Sequence, residues 1–390
     1  NNNNNNNNDC AQAAAKFLLQ KDDAAIVPIP HSATSNSAMV HTLDFFRSFL
    51  SDPFVFGKVA AVHALSDCHA MGATPQTALA LAVVPFAANE HMTERTLVDM
   101  LSGASDVLDA DGCTLAGGHT CEGAELALGF AINGFVQNRF ANQHGNDGGG
   151  ILKKSGGRVG DKIVLTKPLG TGAIFAADMR AKCDGERVDE VINAMMISNG
   201  PASRIAMKHL DIVRACTDVT GFGLAGHLME MLVANEEHTL EEEGDQNLLH
   251  PISAILDMEA IPIHSGAVEA ISNGIYSSLY RENARIRRTV DNHEDAMMRF
   301  PHHYPLLFDP QTAGGLLFFV SSDGCDKFVR ELESDPGTLC ACVIGELKEH
   351  NFVCERNRGE ISPSTLDKEN SFTETRHENM YAPGFRIHIK

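Results

Sequence analysis

The chain has no Cys-x-x-Cys pair, no phosphate loop of the form G-x-x-x-x-G-K-[ST], and no apolar run approaching ~20 residues. The first absence removes a zinc ribbon and a disulfide framework, although ten cysteines are scattered along the sequence. The second excludes a P-loop nucleotide site, and the third a membrane-spanning helix. Positive charge is also scarce: 31 Lys and Arg against 51 Asp and Glu leave a formal net charge of −20. Such a surface repels a long phosphate backbone, so no nucleic-acid or membrane partner is expected. A small phosphorylated ligand remains compatible if metal ions bridge it to carboxylates. Thiols without a framework fit a reducing, cytoplasmic setting.

The 390 residues, 43% apolar and 21% charged, suffice for two globular domains. Eight consecutive Asn open the chain, either a disordered tract or a string of unassigned positions, and residues 1–20 are read as a low-complexity arm. Strand patterns follow at 24–29, 78–84 and 126–136. Between them, Ser51-Asp52-Pro53 opens one helix and a second runs over 93–108. A polar, glycine-rich break at 137–157 marks a domain boundary. Strands at 162–166, 315–320 and 338–344 and helices near 172–182 and 187–208 form the second unit. The segments 236–248 and 355–379 read as polar surface insertions. The resulting expectation is an α+β protein with an N-terminal domain at 21–145, a C-terminal domain at 158–350 and a polar tail or insertion at 351–390.

One stretch, ACTDVTGFGLAGHLMEM (215–231), spells a dinucleotide fingerprint, Gly221-Phe-Gly223-Leu-Ala-Gly226. The context is wrong for that fold. Three residues separate the preceding apolar run from Gly221, and the polar NEEHTLEEEGDQN stands where the next buried strand should be. The alternative is that Asp218, just ahead of the glycines, carries the chemistry. Asp218 has company at other junctions of apolar elements: Asp22 and Asp23 before AAI, Asp44 inside TLDFF, and Asp67 in ALSDCHAMGATP. Alone, each reads as a cap or turn residue. Asp44, flanked by Leu43 and Phe45, is costly to bury without a cation or donors. If the carboxylates converge, each pair at ~4 Å repels by about 4 kcal/mol at an effective dielectric near 20, and protonation or a divalent ion must relieve it. Magnesium, held by one or two carboxylates plus substrate phosphates, is how an acidic protein holds ATP.

In LAGGHTCEGAEL (115–126), two glycines at a strand end expose backbone N–H groups to an anion, with His119 and Thr120 as further donors; a tight turn with a solvent-facing His is the alternative. Lys167 in LTKPLGTGAIF reads either as a phosphate contact or, as loop lysines usually are, as solvated, and the glycines of LFDPQTAGGLLFFV read as structural.

Taken in order, DDAAI, TLDFF, DPFVFGKVAAVHALSDCHAMGATP, LAGGHT, GDKIVLTKPLGTG, TDVTGFGLAGHLMEM and DPQTAGGLL resemble the selenophosphate synthetase (selenide, water dikinase) family, over roughly residues 20 to 347. HTLDFFRSFLSDPFVFGKVAAVHALSD and GGHTCEGAELALGF are most similar to the form fused behind a flavin oxidoreductase domain. The resemblance implies a two-domain aminoimidazole ribonucleotide synthase-like fold, and a homodimer whose N-terminal halves pair into a shared barrel with ATP and magnesium at the interface. It implies conversion of selenide, ATP and water to selenophosphate, AMP and phosphate. By motif, Asp23, Asp67 and Asp218 would ligate magnesium, Asp44 and Asp67 would lie by the nucleotide, and Gly118, His119 and Thr120 would line the phosphates. The family also carries a reactive Cys or selenocysteine with a Lys three residues on. Here Cys10 is followed at that distance by Ala13, and Lys16 is the nearest cation. Cys10 and Lys16 are therefore the candidate catalytic pair, unless the arm is missing from this chain. Two alternatives stand beside the dikinase: a catalytically silent ATP-binding relative acting through partners, and another ATP-dependent kinase or synthase of the superfamily.

Overall fold

A helix that is apolar around most of its circumference must be covered on more than one side, and PFVFGKVAAVHALSDCHA is such a segment. In the computed structural model it is helix α1 (Pro53–Ala70), and 12 of its residues are buried. Asp52 caps its start, accepting from the amides of Phe54 (2.8 Å) and Val55 (3.2 Å), with Pro53 in the first turn. The structure describes residues 22–28, 37–86, 89–137, 150–243 (side chains to 236), 252–349 and 387–390. Cys10 and Lys16 lie outside the described residues.

The first domain is a five-stranded sheet of order β1-β2-β5-β3-β4. Its strands are β1 (Ala25–Pro28), β2 (Ser37–Arg47), β3 (Thr74–Pro85), β4 (Thr114–Gly123) and β5 (Ala127–Gln137). Neighbours are antiparallel except β3 and β4. Helices α1 and α2 (Glu90–Ala110) cover one face, burying Phe56, Ala60, Leu65 and Met100 against Val40, Leu128, Phe130 and Ile132. The two helices cross closely. A Cβ on Gly103 would stand 1.9 Å from the Phe54 carbonyl oxygen, and one on Gly57 1.9 Å from that of Met100.

The second domain carries a six-stranded sheet of order β11-β8-β10-β6-β9-β7. These are β6 (Lys162–Leu165), β7 (Val213–Asp218), β8 (Ile252–Leu256), β9 (Leu316–Val320), β10 (Cys342–Glu349) and β11 (Ile387–Ile389). Helices α3 (Thr171–Asp178), α4 (Gly185–Met195), α5 (Gly200–Ala206), α6 (Gly223–Glu243) and α7 (Cys325–Ser334) surround it, with shorter helical segments between. Strand β9, LLFFV, is buried throughout: Leu317 and Phe319 pack with α6, and Leu316 and Phe318 with α5 and α7. The far side of α1 meets this domain, where Val59 and Val62 join Ile174, Phe175 and Val191 in one apolar cluster. Asn199 Nδ2 completes the junction by donating to Ser66 Oγ (2.9 Å) and to the Gly314 carbonyl (2.8 Å).

Several sequence expectations shift. The helix expected over 187–208 is two, α4 and α5, because Pro201 cannot donate a backbone bond and starts a new helix. The strand expected from 338 begins at Cys342, after a turn that Thr338 closes onto the Asp335 carbonyl. Helix α6 continues to Glu243, through the start of a segment read as an insertion. Within the expected tail at 351–390, Ile387 and Ile389 are fully buried and pair in parallel with β8; three residues are too few for alternation to register in the sequence.

Gly103→Ala tests the helix crossing. The clash with the Phe54 carbonyl should outweigh the ~1 kcal/mol that alanine gains in helix propensity, for a net loss of about 1–3 kcal/mol. A lowered thermal midpoint is the expected result; a raised midpoint would show that the helices have room between them.

Candidate functional site: a carboxylate cluster at the domain junction

The two-sided burial of α1 fixes its last turn between the domains, and Asp67 lies in that turn. Asp23, just before β1, and Asp218, the last residue of β7, meet it there. One carboxylate oxygen from each lies within 4.8 Å of the other two. Asp218 is 2% exposed and the Asp23 side chain 4%.

Burial pushes the Asp67 carboxyl well above its usual range, and repulsion from Asp218, Asp44 and Asp23 pushes it further; the hydroxyl of Thr42, donating to Oδ2, opposes the shift. Asp23 is raised to about 7, first by burial and then by Asp218, against the lowering pull of Lys154. Asp44 is raised by burial and by Asp218, and lowered by His63 and by a hydrogen bond with the Asp67 carboxyl. Strand alternation explains how Asp44 is tolerated. It faces α1 with Val40 and Phe46, while its neighbours Leu43 and Phe45 point outward, 64% and 44% exposed.

The surroundings hold cations that the sequence reading missed or misread. Lys154, from the glycine-rich break, places Nζ 2.9 Å from Asp23 Oδ1 and 2.9 Å from Glu230 Oε2. Lys167, read as a phosphate contact or a solvated lysine, is 4% exposed and donates to the carbonyls of Ile197 (2.6 Å) and Ala313 (2.9 Å). Burial lowers it to about 7, with Asp218 favouring its charged form. Thr217 Oγ1 donates to Asp23 Oδ1 at 2.8 Å. Thr42, Thr217 and Glu230 lie inside the segments TLDFF and TDVTGFGLAGHLMEM and Lys154 outside them, but all four meet the cluster only through the fold, and such convergence leaves no periodic signal.

The donor set fits a hard divalent cation. All three groups are carboxylates, and Asp23 Oδ2 is buried without a hydrogen-bond partner among the described residues. A dinucleotide does not fit. Among the described residues strand β7 pairs antiparallel with β9 and with no other strand, so no parallel β-α-β unit is formed there, and Gly223 starts α6 at φ +72° instead.

The structure does not bring every candidate together. Gly118, His119 and Thr120 sit within the exposed outer strand β4 rather than in a turn. Strands β5 and β3 separate β4 from the strand of Asp44, about 14 Å at the usual strand spacing. Gly118 is required where it is: a Cβ there would stand 2.1 Å from the Ala80 carbonyl oxygen. A cavity of about 520 Å³, lined in part by His69, Asp111, Arg204 and Met207, lies at the C-terminal end of α1, and none of the three aspartates lines it.

Residues 21–136 match the family described as AIR synthase related protein, N-terminal domain, and residues 158–354 the corresponding C-terminal domain. Solved structures agree on the fold. Thiamine-monophosphate kinase from Stenotrophomonas maltophilia K279a aligns with a TM-score of 0.57 at 18% identity, over 87% of this chain and 93% of that one. E. coli HypE, a hydrogenase maturation protein, aligns at 0.54 and 17% identity over 80% of each. Within this class the sequence is nearer to one group. Selenide, water dikinase of Agathobacter rectalis is 33% identical over 337 residues, 85% of each chain, and that of Geobacter metallireducens 34% over 335 residues, covering 85% of this chain and 86% of that one. The chain belongs to the selenide, water dikinase family. No helix among the described residues is long and apolar enough to cross a membrane.

The raised carboxyls set a pH dependence for the metal-free protein. Folded Asp23, near 7, lies above the ordinary aspartate value of 3.8, so the folded state favours the protonated form. That contribution to stability is complete below the unfolded value and is lost as pH rises through the folded one. In the presence of a chelator, melts from about pH 4 to about 8 should show wild type losing stability relative to Asp23→Asn over this window. Parallel curves would remove Asp23 from the coupled cluster.

Proposed function

We propose that the chain is a magnesium-dependent selenide, water dikinase, forming selenophosphate, AMP and phosphate from selenide, ATP and water. The observation that carries this reading is the convergence of Asp23, Asp67 and Asp218 at the domain junction, in a chain of this family. These three would hold magnesium, which when bound neutralises phosphate charge and polarises the phosphoryl oxygens. Asp44 orients Asp67 through their shared hydrogen bond and would lie by the nucleotide. Lys167 sets a fixed amino group beside Asp218, which favours its charged form, and its Nζ is held still by two carbonyls. Closure of α1 against the second domain keeps bulk water from the buried side of the cluster.

The N-terminal sheet supports the proposed homodimer. Its uncovered face presents Val27, Met39, Leu43, Phe45 and Leu79, each at least 36% exposed, and β4 is an exposed sheet edge. An apolar face and an open edge together suit a second copy, which would close the sheets into a barrel. A partner copy would also supply Gly118, His119 and Thr120 to the phosphates, since within one chain two strands separate β4 from the strand of Asp44. The silent relative has one observation in its favour, Ala13 where the family's lysine stands three residues after its reactive residue.

Phosphorus NMR of the protein with ATP, magnesium and selenide decides between the two readings. The dikinase gives AMP and a selenium-coupled phosphorus resonance; intact ATP, or ADP as end product, rejects it. The dimer has its own test. Leu43→Glu with Phe45→Glu should convert a dimer to a monomer by light scattering, and a monomeric wild type would overturn the barrel.

A further inference from the structure

Lys154 is held from three sides. Its flanking backbone is pinned to both domains: the Leu152 amide donates to the Met71 carbonyl at the end of α1 (3.2 Å), and the Cys216 amide of β7 to the Lys153 carbonyl (2.9 Å). Its own amide donates to Asp22 Oδ1 at 3.1 Å, so adjacent aspartates of one segment are both fastened to this residue. Its ammonium bridges Asp23 Oδ1 and Glu230 Oε2, and Glu230 is fixed in turn, with His227 Nδ1 3.2 Å from the same Oε2 and Thr220 Oγ1 3.2 Å from His227 Nε2. The Lys154 side chain is 8% exposed, and Asp23 and Glu230 together outweigh the cost that burial imposes on its charge. Glu230 is held down to about 2, against burial, by His227 and Lys154.

The consequence falls on the two oxygens of Asp23. Among the described residues Oδ1 takes two donors, the Lys154 ammonium and the Thr217 hydroxyl, whereas Oδ2 is buried and takes none. A carboxylate held this way cannot rotate without breaking a charge-assisted bond. The bare oxygen therefore stays free for a ligand, on a carboxylate that meets those of Asp67 and Asp218. We infer that Lys154 is a positioning residue, which docks the segment ahead of β1 onto the second domain and presents Asp23 Oδ2 to the cation; this rests on the metal reading above. Outer-shell partners of metal-bound carboxylates have this role in general, and their loss costs about 10- to 100-fold in metal affinity. The opposite role for the same lysine would be a resident counter-ion that competes for Asp23, and the two differ in sign.

Manganese, a spin probe for a magnesium site, makes the measurement independent of turnover. Free Mn²⁺ is followed by electron paramagnetic resonance over the purified chain, without nucleotide or selenide. Lys154→Met should weaken binding by about 10- to 100-fold while circular dichroism stays unchanged, and Lys154→Arg should restore most of it. Thr217→Val, which removes the other donor to the same oxygen in an equal volume, should weaken binding in the same direction. It carries the test alone if Lys154→Met does not fold. Unchanged or tighter binding in the folded Lys154→Met protein overturns the positioning role, as does loss of fold in Lys154→Met together with wild-type affinity in Thr217→Val. Binding that wild type shows and Asp218→Asn lacks confirms the metal site independently of Lys154. If Asp218→Asn binds like wild type, the metal reading fails and takes this inference with it.

Discussion

Everything at the domain junction depends on α1 being buried on both sides. A helix with a single apolar stripe would have bound the first sheet and left its other face to solvent. Here alanines and Leu65 fill the contact with the sheet, and Val59 and Val62 enter a cluster built largely from the second domain. The small side chains also allow α2 to approach until glycines at 57 and 103 touch carbonyl oxygens. The last turn of α1 thus becomes a rigid element inside the molecule, and it holds Asp67 beside Asp23 and Asp218.

The cluster is a local cost that the rest of the fold sustains. Three carboxylates in mutual reach, with a fourth hydrogen-bonded to one of them, repel each other in a place where burial already disfavours charge. The two nearby lysines offset part of this in different ways. Lys154 is drawn to carboxylates and stays charged, whereas Lys167 is surrounded by carbonyls and sits near neutrality. Two domains with large apolar cores tolerate such strain at their seam. Conflict between local chemistry and stability of this kind is typical of functional sites.

The middle of strand β2, residues 42–45, is inverted relative to an ordinary half-buried strand. Its polar residues Thr42 and Asp44 face α1, and its apolar Leu43 and Phe45 face outward. A strand patterned in this way serves two interfaces at once. The inner face supplies the carboxylate cluster, and the outer face contributes to the apolar surface on the uncovered side of the sheet.

Much of this was legible in the amino-acid order. The cap at Asp52-Pro53, the buried runs of β3, β5 and β9 and the aspartates at element junctions all leave local signals, because caps, turns and alternation act over a few residues. The same locality hid β4, whose glycines imitate a turn, and β11, too short to alternate. It also hid Lys154, which lies 131 positions from Asp23 in numbering and whose Nζ is 2.9 Å from the Asp23 carboxylate. The sequence by itself determined which residue types are available at the junction and the elements that carry them. Only the tertiary structure decided that Asp23, Asp67 and Asp218 converge, that Asp44 points inward, and that Lys154 rather than a closer-spaced cation meets Asp23. Those contacts are set by packing α1 between two domains, and packing across so many residues has no period in the chain.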